Sequence, residues 1–232
     1  MVYGRAIRCC TNNKIILKMP KPRTTQIRSL KRRILILCEG KKTEPYYFKG
    51  IKESEEFKYK SLTMELIIHD TKKNTAKELV KETVEIIKNS KREGDPFDEA
   101  WVVFDKDGYT KHPEAFDTAK NNKKIKIAFS SISFEYWILL HFKYTTKAFS
   151  KADNIISEIN KCYKKLSLPS YDKCANNYDI LKKHTDTAIK HAIRSREFAK
   201  IEIDRGTKIY NLNPYTDVDI LICTLLKEEK KP

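Results

Sequence analysis

Short apolar runs alternate with segments of helical periodicity in the first half of the chain. Strands are predicted at residues 33–38, 62–68, 99–105 and 125–129. Helices are predicted at residues 43–53, 74–89 and 112–121. The run at 33–38 is continuously apolar and rich in β-branched residues, which is typical of a strand buried on both faces. Strands that alternate with helices predict βαβ units, and therefore an α/β, Rossmann-like parallel sheet flanked by helices.

The second half of the chain has a helical pattern. Beyond the apolar segment 134–142, helices are predicted at 151–163, at 178–198 and from about residue 216 onwards. Thr43 is expected to cap the first helix of the chain, and Asp219 is a candidate capping partner in the last. The polar, turn-rich segment 163–178 is predicted to be a surface loop. The chain is thus predicted to comprise a basic arm at 1–30, an α/β core at 31–142 and a helical region at 143–232 packed on that core.

Composition excludes several classes of protein. Hydrophobic residues make up 40% of the 232 positions, enough for a core, so a wholly disordered chain is excluded. The longest apolar run, Ile34 to Cys38, is far shorter than the roughly 20 residues that span a bilayer, and no signal peptide is evident. The six cysteines form no CxxC or zinc spacing, which indicates reduced thiols. A cytoplasmic protein without a membrane partner is expected.

Positive charge is concentrated at the two ends of the chain. The net charge is +16. Residues 1–33 contain ten Lys or Arg and no acid, residues 34–142 contain nineteen of each sign, and residues 143–232 contain eighteen basic and twelve acidic residues. Clustered positive charge favours phosphate polymers, so a nucleic acid is the predicted partner. A solvated basic surface or an acidic protein partner are the alternatives.

Acidic residues follow two of the predicted strands. Glu39 comes directly after the first strand, and Asp105 and Asp107 lie at the end of the third. Carboxyl ends of parallel strands meet at one edge of a sheet, and residues two apart in an extended chain face the same way. Three such carboxylates predict a Mg²⁺ or Mn²⁺ site suited to phosphodiester cleavage. Taken singly, each acid could instead be an ordinary turn or helix-terminal residue.

Further residues could complete this site. Glu135, in an otherwise apolar helix start, could be another metal ligand or position a water, or it could be a first-turn acid favoured by the helix dipole. Lys42 could bind the scissile phosphate, and Glu44 could support the site or only begin a helix. His69 and Asp70 follow the second strand and could also face the site, although a surface position is favoured. Tyrosines that lie beside lysines and could stack RNA bases are Tyr144, Tyr163 and Tyr171.

Four ordered motifs resemble those of the RloB family. They lie at residues 34–48, 101–107, 130–142 and 213–218, and the resemblance spans roughly residues 30–226. In the third motif, Ile132 stands where Pro or another turn former is expected. The resemblance implies a Toprim-like fold of the metal-dependent nuclease group. It also implies that Glu39 is that group's invariant Glu and that Asp105 and Asp107 are its Asp-x-Asp pair.

The resemblance also implies a biological setting. Relatives occur in bacterial restriction and phage-exclusion loci, often beside an ABC-type ATPase, as in the AbiL system, and a related Toprim effector cuts tRNA. The chain is therefore predicted to be a Mg²⁺- or Mn²⁺-dependent endonuclease of anti-phage defence, with RNA, possibly tRNA, slightly preferred over DNA. Any ATP hydrolysis must come from the partner, because the sequence contains no Walker A motif.

Two other functions remain open at this stage. The chain could be a non-catalytic nucleic-acid-binding or adaptor subunit of a defence complex, in which case binding would not depend on Glu39 or Asp105. It could also be a phosphatase of the haloacid dehalogenase type with Asp105 as nucleophile. The phosphatase alternative fits less well, because its motif normally follows the first strand and here two predicted strands precede it.

Overall fold

Five strands form one sheet at the centre of the protein, in a computed structural model that describes residues 31–106 and 112–227. The strands are β1 (Arg32–Cys38), β2 (Met64–His69), β3 (Glu99–Asp105), β4 (Ile125–Ser131) and β5 (Tyr215–Thr216). Their order across the sheet is β2-β1-β3-β4-β5. The first four are parallel, and β5 is antiparallel to β4. The predicted α/β class with a mostly parallel sheet is confirmed, whereas the predicted arm at 1–30 and Asp107 lie outside the described residues.

Helices flank the sheet on both faces. They are α1 (Thr43–Glu53), α2 (Glu55–Lys60), α3 (Ala76–Arg92), α4 (His112–Lys120), α5 (Glu135–Leu140), α6 (Ala152–Lys165), α7 (Tyr178–Leu181), α8 (Thr185–Asp204) and α9 (Val218–Leu226). Strand β1 shows why two layers are needed. Ile34 and Ile36 point into an apolar cluster that includes residues of α1, α5, α6 and α9. Leu35 and Leu37 point into a second cluster with α3 and α4, so β1 is buried on both faces as predicted.

Two predicted helix caps are wrong. The cap position of α1 is Lys42, and no side chain there bonds the first turn. Thr43 is already helical, and its hydroxyl donates to Glu135 3.4 Å away. Asp219 lies inside α9, is buried and pairs with the guanidinium of partly buried Arg196 on α8, because a cation is a stronger partner than a backbone N–H.

The predicted helix at 178–198 and the predicted surface loop before it also differ from the structure. The helix is divided into α7, a short 3₁₀ turn and α8, and α8 continues to Asp204. The loop after α6 buries Tyr171, whose ring packs edge-on against Tyr163. This loop is therefore packed on the core, and the positions of its polar residues are fixed by that packing. Along the described part of the chain, no helix combines the length and the apolar character needed to cross a bilayer.

Candidate active site

The carboxyl ends of β1 and β3 form the point where the direction of strand addition reverses. From β1 the sheet grows to β2 on one side and to β3 on the other, and open α/β sheets bind ligands at such a crevice. The backbone N–H of Glu39 donates to the carbonyl of Val103, 2.9 Å away, which ties the two strand ends together. The structure thus places Glu39 and Asp105, two of the three predicted metal ligands, at adjacent strand ends.

The end of β3 is held in place from two sides. The backbone N–H of Lys106 donates to Ser130, 3.0 Å away, and to Ile132, 3.2 Å away, both at the end of β4. Ile132 follows a cis peptide bond with Ser131. On the other side, buried His112 donates from Nε2 to the carbonyl oxygen of Asp105 at 3.0 Å. The main chain that carries Asp105 is therefore anchored beyond the ladder of the sheet.

A cleft of about 770 Å³ opens over these strand ends. Its lining comes from the β1–α1 loop, the ends of β3 and β4, the start of α6 and the loop that follows α6. The acids that line it are Glu44, Asp105 and Glu135. The lysines that line it are Lys41, Lys42, Lys106, Lys151 and Lys173. These acids, of which Glu44 and Glu135 are buried, and the lysines beside them give the cleft the charge pattern of a site for a cation and a phosphate.

The pKa of Glu44 is affected by the charges of the other acids. This residue is buried in the first turn of α1. Burial raises its pKa to about 8, and the charge of Asp105, followed by the charges of Glu135 and Glu39, adds to the increase. Four carboxyl groups from three separate parts of the sequence therefore share one electrostatic environment. A cation placed among them would relieve this repulsion.

Gly40 makes room for the Glu44 carboxyl group. A Cβ atom at position 40 would lie 2.1 Å from Oε2 of Glu44 and 2.8 Å from its Cδ, well inside van der Waals contact. The carboxyl group of Glu44 thus packs directly on the backbone of Gly40. The absence of a side chain at position 40 is what allows Glu44 to occupy this place.

Glu135 is held by three neighbours from outside its own helix. It is the first residue of α5 and is only 3% exposed. Its Oε1 accepts from the hydroxyls of Thr43 and Tyr171, each at 3.4 Å, and lies 3.1 Å from Nζ of Lys173. Burial raises the pKa of Tyr171, so its phenol remains a donor. Glu135 therefore belongs to the cleft and does not merely balance a helix dipole.

The sequence pointed to some of the lysines that line the cleft and not to others. Lys42 and Lys41 are exposed on the β1–α1 loop and line the cleft, so Lys42 lies where a phosphate contact was predicted. The sequence analysis missed Lys106, Lys151 and Lys173 as site residues. Lys106 lies within the Asp-x-Asp pair and could have been found there, whereas Lys151 and Lys173 lie in loops far from the acids in sequence and carry no local signal.

Several other candidates are not part of the cleft. His69 lies 3.6 Å from Glu82, and Asp70 is exposed, 3.9 Å from Lys49. Tyr163 and Tyr171 are buried, so the prediction that they stack bases is wrong. Their rings instead fill the space between α6 and its following loop. The third of these tyrosines is Tyr144, and the guanidinium group of Arg194 lies 4.1 Å from the centre of its ring.

The residues of the cleft fit a hard divalent cation in chemistry. Within the described ranges, no three His, Cys, Asp or Glu side chains are already arranged to hold a metal ion. The donors are nevertheless carboxylate and hydroxyl oxygens, which Mg²⁺ and Mn²⁺ prefer. Ser133 lines the cleft, and its buried hydroxyl finds no hydrogen-bond partner in the described part of the chain. A buried donor without a partner and crowded carboxyl groups are both features that a hydrated cation would satisfy.

Comparisons with known proteins give one positive result. No solved structure and no protein with a curated description matches the chain. The sequence profile of the RloB-like proteins matches residues 34–225, from within β1 to the last turn of α9. That span holds the sheet except for the first two residues of β1, and it includes every residue that lines the cleft. The chain therefore belongs to the RloB-like protein family.

Proposed function

We propose that this protein is a metal-dependent endonuclease that hydrolyses phosphodiester bonds of nucleic acid, with RNA, possibly tRNA, slightly preferred over DNA. One observation carries the proposal: Glu39, Glu44, Asp105 and Glu135 share one environment at the switch point of the sheet. Carboxyl groups that lie together in a cleft and raise one another's pKa are typical of a catalytic site.

We assign roles to the individual residues as follows. Glu39 and Asp105, together with Asp107 on the strength of the sequence motif, would hold Mg²⁺ or Mn²⁺. Glu44 and the Ser133 hydroxyl line the same cleft as Asp105 and would support the ion. A bound ion supplies Lewis-acid stabilisation of a phosphoryl oxygen. Lys42 contacts the phosphate group and offsets the charge that develops on it. Glu135, oriented by Thr43 and Tyr171, accepts a hydrogen bond from the attacking water.

The finer fold assignment belongs to the same proposal. A Toprim-like core is supported by the four parallel strands, by the acids after β1 and β3, and by the resemblance of the motifs around them. The family resemblance also supports a role as effector of a bacterial anti-phage system in the cytoplasm. The same resemblance supports an ABC-type ATPase from the same locus as the partner, which would supply any ATP hydrolysis because the sequence has no Walker A motif.

A cleavage assay tests the proposal. Purified protein is incubated with total tRNA and with plasmid DNA, each with Mg²⁺, with Mn²⁺ and with chelator. We expect cleavage that needs the metal and is lost in Glu39→Ala. Glu99→Gln, at the opposite edge of the sheet, is the matched acid control and should cleave as the wild type does. Equal cleavage by wild type and Glu39→Ala would overturn the proposal.

The lysines around the cleft favour one alternative, a binding subunit without catalysis. That function predicts nucleic-acid binding whose affinity falls with salt and is unchanged in Glu39→Ala. It also predicts that no cleavage appears when the partner ATPase is added. Cleavage that appears only with the partner would instead support an effector that is held inactive until it is recruited.

A further inference from the structure

Three adjacent depressions, the first of which is the acidic cleft, lie along helix α6. The cleft itself includes Lys151 and Ala152 at the start of the helix. A second depression of about 290 Å³ shares Ser150 with the cleft. A third, of about 450 Å³, shares Glu158 and Lys161 with the second. Because each depression shares at least one lining residue with the next, they lie side by side along the helix, and we call them together the α6 groove.

Lysines dominate the lining of the α6 groove. Six lysines occur in the segment 143–165, against two acids. The lysines are Lys143, Lys147, Lys151, Lys161, Lys164 and Lys165. One acid, Glu158, is held between Nζ of Lys143 and Nζ of Lys161, each at 2.7 Å. The hydrogen bonds from these lysines lower the pKa of Glu158 to about 2, so this acid balances part of the positive charge and leaves the groove basic.

We propose that the α6 groove binds the sugar–phosphate backbone of the nucleic-acid strand whose scissile bond lies in the acidic cleft, an inference that rests on the proposed nuclease function. A polyanion cannot approach buried carboxylates unless other charges hold it, and the groove supplies them next to the cleft. Lysine ammonium groups and the small polar side chains of Ser150 and Asn154 are typical phosphate and sugar contacts.

The dimensions of the groove set the length of the bound segment. Helix α6 has 14 residues and is therefore about 21 Å long. A stacked strand advances about 3.4 Å per nucleotide, so the groove accommodates about six nucleotides beyond the scissile bond. Contacts to phosphate and sugar carry no sequence information. The groove therefore predicts binding that depends on strand length and salt but not on base sequence.

The experiment measures binding without cleavage. Labelled single-stranded RNA of three and of twelve nucleotides is titrated with the full chain in chelator, over a range of salt. The test variant is Lys147→Glu with Lys164→Glu, which spares the two lysines that hold Glu158. The control is Lys81→Glu with Lys88→Glu on exposed positions of α3, with the same change of charge. Thermal unfolding confirms that both variants are folded.

We expect the wild type to bind the longer RNA at least about tenfold more tightly than the shorter one. In the groove variant this advantage should fall about tenfold, and the slope of log K against log salt should decrease by about 1.4, for two lost contacts to a single strand. The control should keep both values. An unchanged length advantage in the groove variant, or an equal loss in the control, would overturn the proposal, as would a wild type that prefers an acidic peptide to RNA.

The two proposals fail in different ways. A wild type that binds with the expected length dependence but cleaves nothing, with metal and with partner, overturns the nuclease and leaves the groove as a binding surface. A wild type that cleaves tRNA while the groove variant binds and cleaves equally well overturns the groove alone.

Discussion

The two edges of the sheet treat their acids in opposite ways, although the same strand, β3, supplies one acid to each. At the amino edge, Glu99 lies 2.7 Å from the guanidinium of Arg32 and 3.2 Å from Nζ of Lys126. It also accepts from the indole N–H of Trp101. Burial alone would raise the pKa of Glu99, but the hydrogen bond from Arg32 and the charge of Lys126 outweigh it, and the pKa is lowered.

At the carboxyl edge, the acids have one another as neighbours. Burial and the charge of Asp105 raise the pKa of Glu44 to about 8. Among the lysines that line the cleft, Lys173 lies 3.1 Å from buried Glu135 and is itself half-exposed. The comparison teaches that the ion pairs of Glu99 at the amino edge stabilise the fold. At the carboxyl edge, the carboxyl groups repel one another, and a bound ligand can relieve that repulsion.

The largest expected effect is on cleavage activity, which should depend on the acid at the carboxyl edge and not on the acid at the amino edge. Asp105→Asn should reduce metal-dependent cleavage by at least about a hundredfold, the size of effect expected when one group that stabilises the transition state is lost. Glu99→Gln should leave cleavage intact but lower the free energy of unfolding by about 1–2 kcal/mol, because Arg32 loses a charged partner. Initial cleavage rates and urea unfolding measure the two quantities. An active Asp105→Asn variant would remove the carboxyl edge from the chemistry.

The second effect is a different pH dependence of the free energy of unfolding at the two edges, measured on metal-free protein. Folded Glu44 keeps its proton up to about pH 8, whereas its ordinary pKa is 4.5. Its contribution to the free energy of unfolding is therefore fully present below pH 4.5 and is lost as the pH rises to about 8. Glu44→Gln should flatten this decline. Urea unfolding across this range measures it, and a decline equally steep in the variant would contradict the assignment.

Glu99 should behave with the opposite sign. Because its folded pKa is lowered from 4.5, its contribution is present above that pH and is lost as the pH falls through the folded value. Glu99→Gln should therefore remove stability at neutral pH and leave acidic conditions almost unchanged. The same urea series, extended below pH 4.5, provides the measurement.

A third and smaller effect is the response to metal. At ten times its dissociation constant, an ion that binds only the folded state adds about 1.4 kcal/mol, which corresponds to about 3–6 °C in Tm for a chain of this size. Mg²⁺ should raise the Tm of the wild type and of Glu99→Gln, but not that of Asp105→Asn. The same rise in all three proteins would place the ion elsewhere.

The smallest expected effect on stability concerns Lys173. Lys173 is half-exposed, and its buried partner Glu135 keeps the hydroxyls of Thr43 and Tyr171 as donors, so Lys173→Ala should cost about 1 kcal/mol in unfolding free energy. Lys182→Ala removes a pair with Asp179 in which both side chains are exposed, and it should cost less. Only Lys173→Ala should raise KM for tRNA, because only Lys173 lines the cleft. An equal KM in both variants would remove Lys173 from substrate binding.

Much of the fold follows from local pattern. Strand β3 begins and ends where the sequence predicts, at Glu99 and Asp105, and β1 differs by one residue, because a continuous apolar run bounded by charged residues defines a buried strand by itself. Strand β5 was missed because two residues carry no periodicity, and they pair only once β4 is present. The division between α7 and α8 was missed for a similar reason, since the apolar spacing continues across it.

The candidate site was predictable only in part. Glu39 and Asp105 could be found because each follows a strand, and parallel strands bring such positions to one edge. Lys173 could not, because it lies in a turn-rich segment that only tertiary packing of Tyr171 attaches to the site. Glu44 was open to two interpretations in the sequence, and the burial that distinguishes them comes from the packing of α1.

Gly40 has a consequence for how this site can vary among related chains. Since a Cβ atom at position 40 would collide with the carboxyl group of Glu44 where it now lies, we expect the two positions to vary together. A relative with alanine at the first position must hold the acid at the second in another rotamer or replace it with a shorter residue. Variation at a residue without functional groups would then change where an acid lies in the cleft.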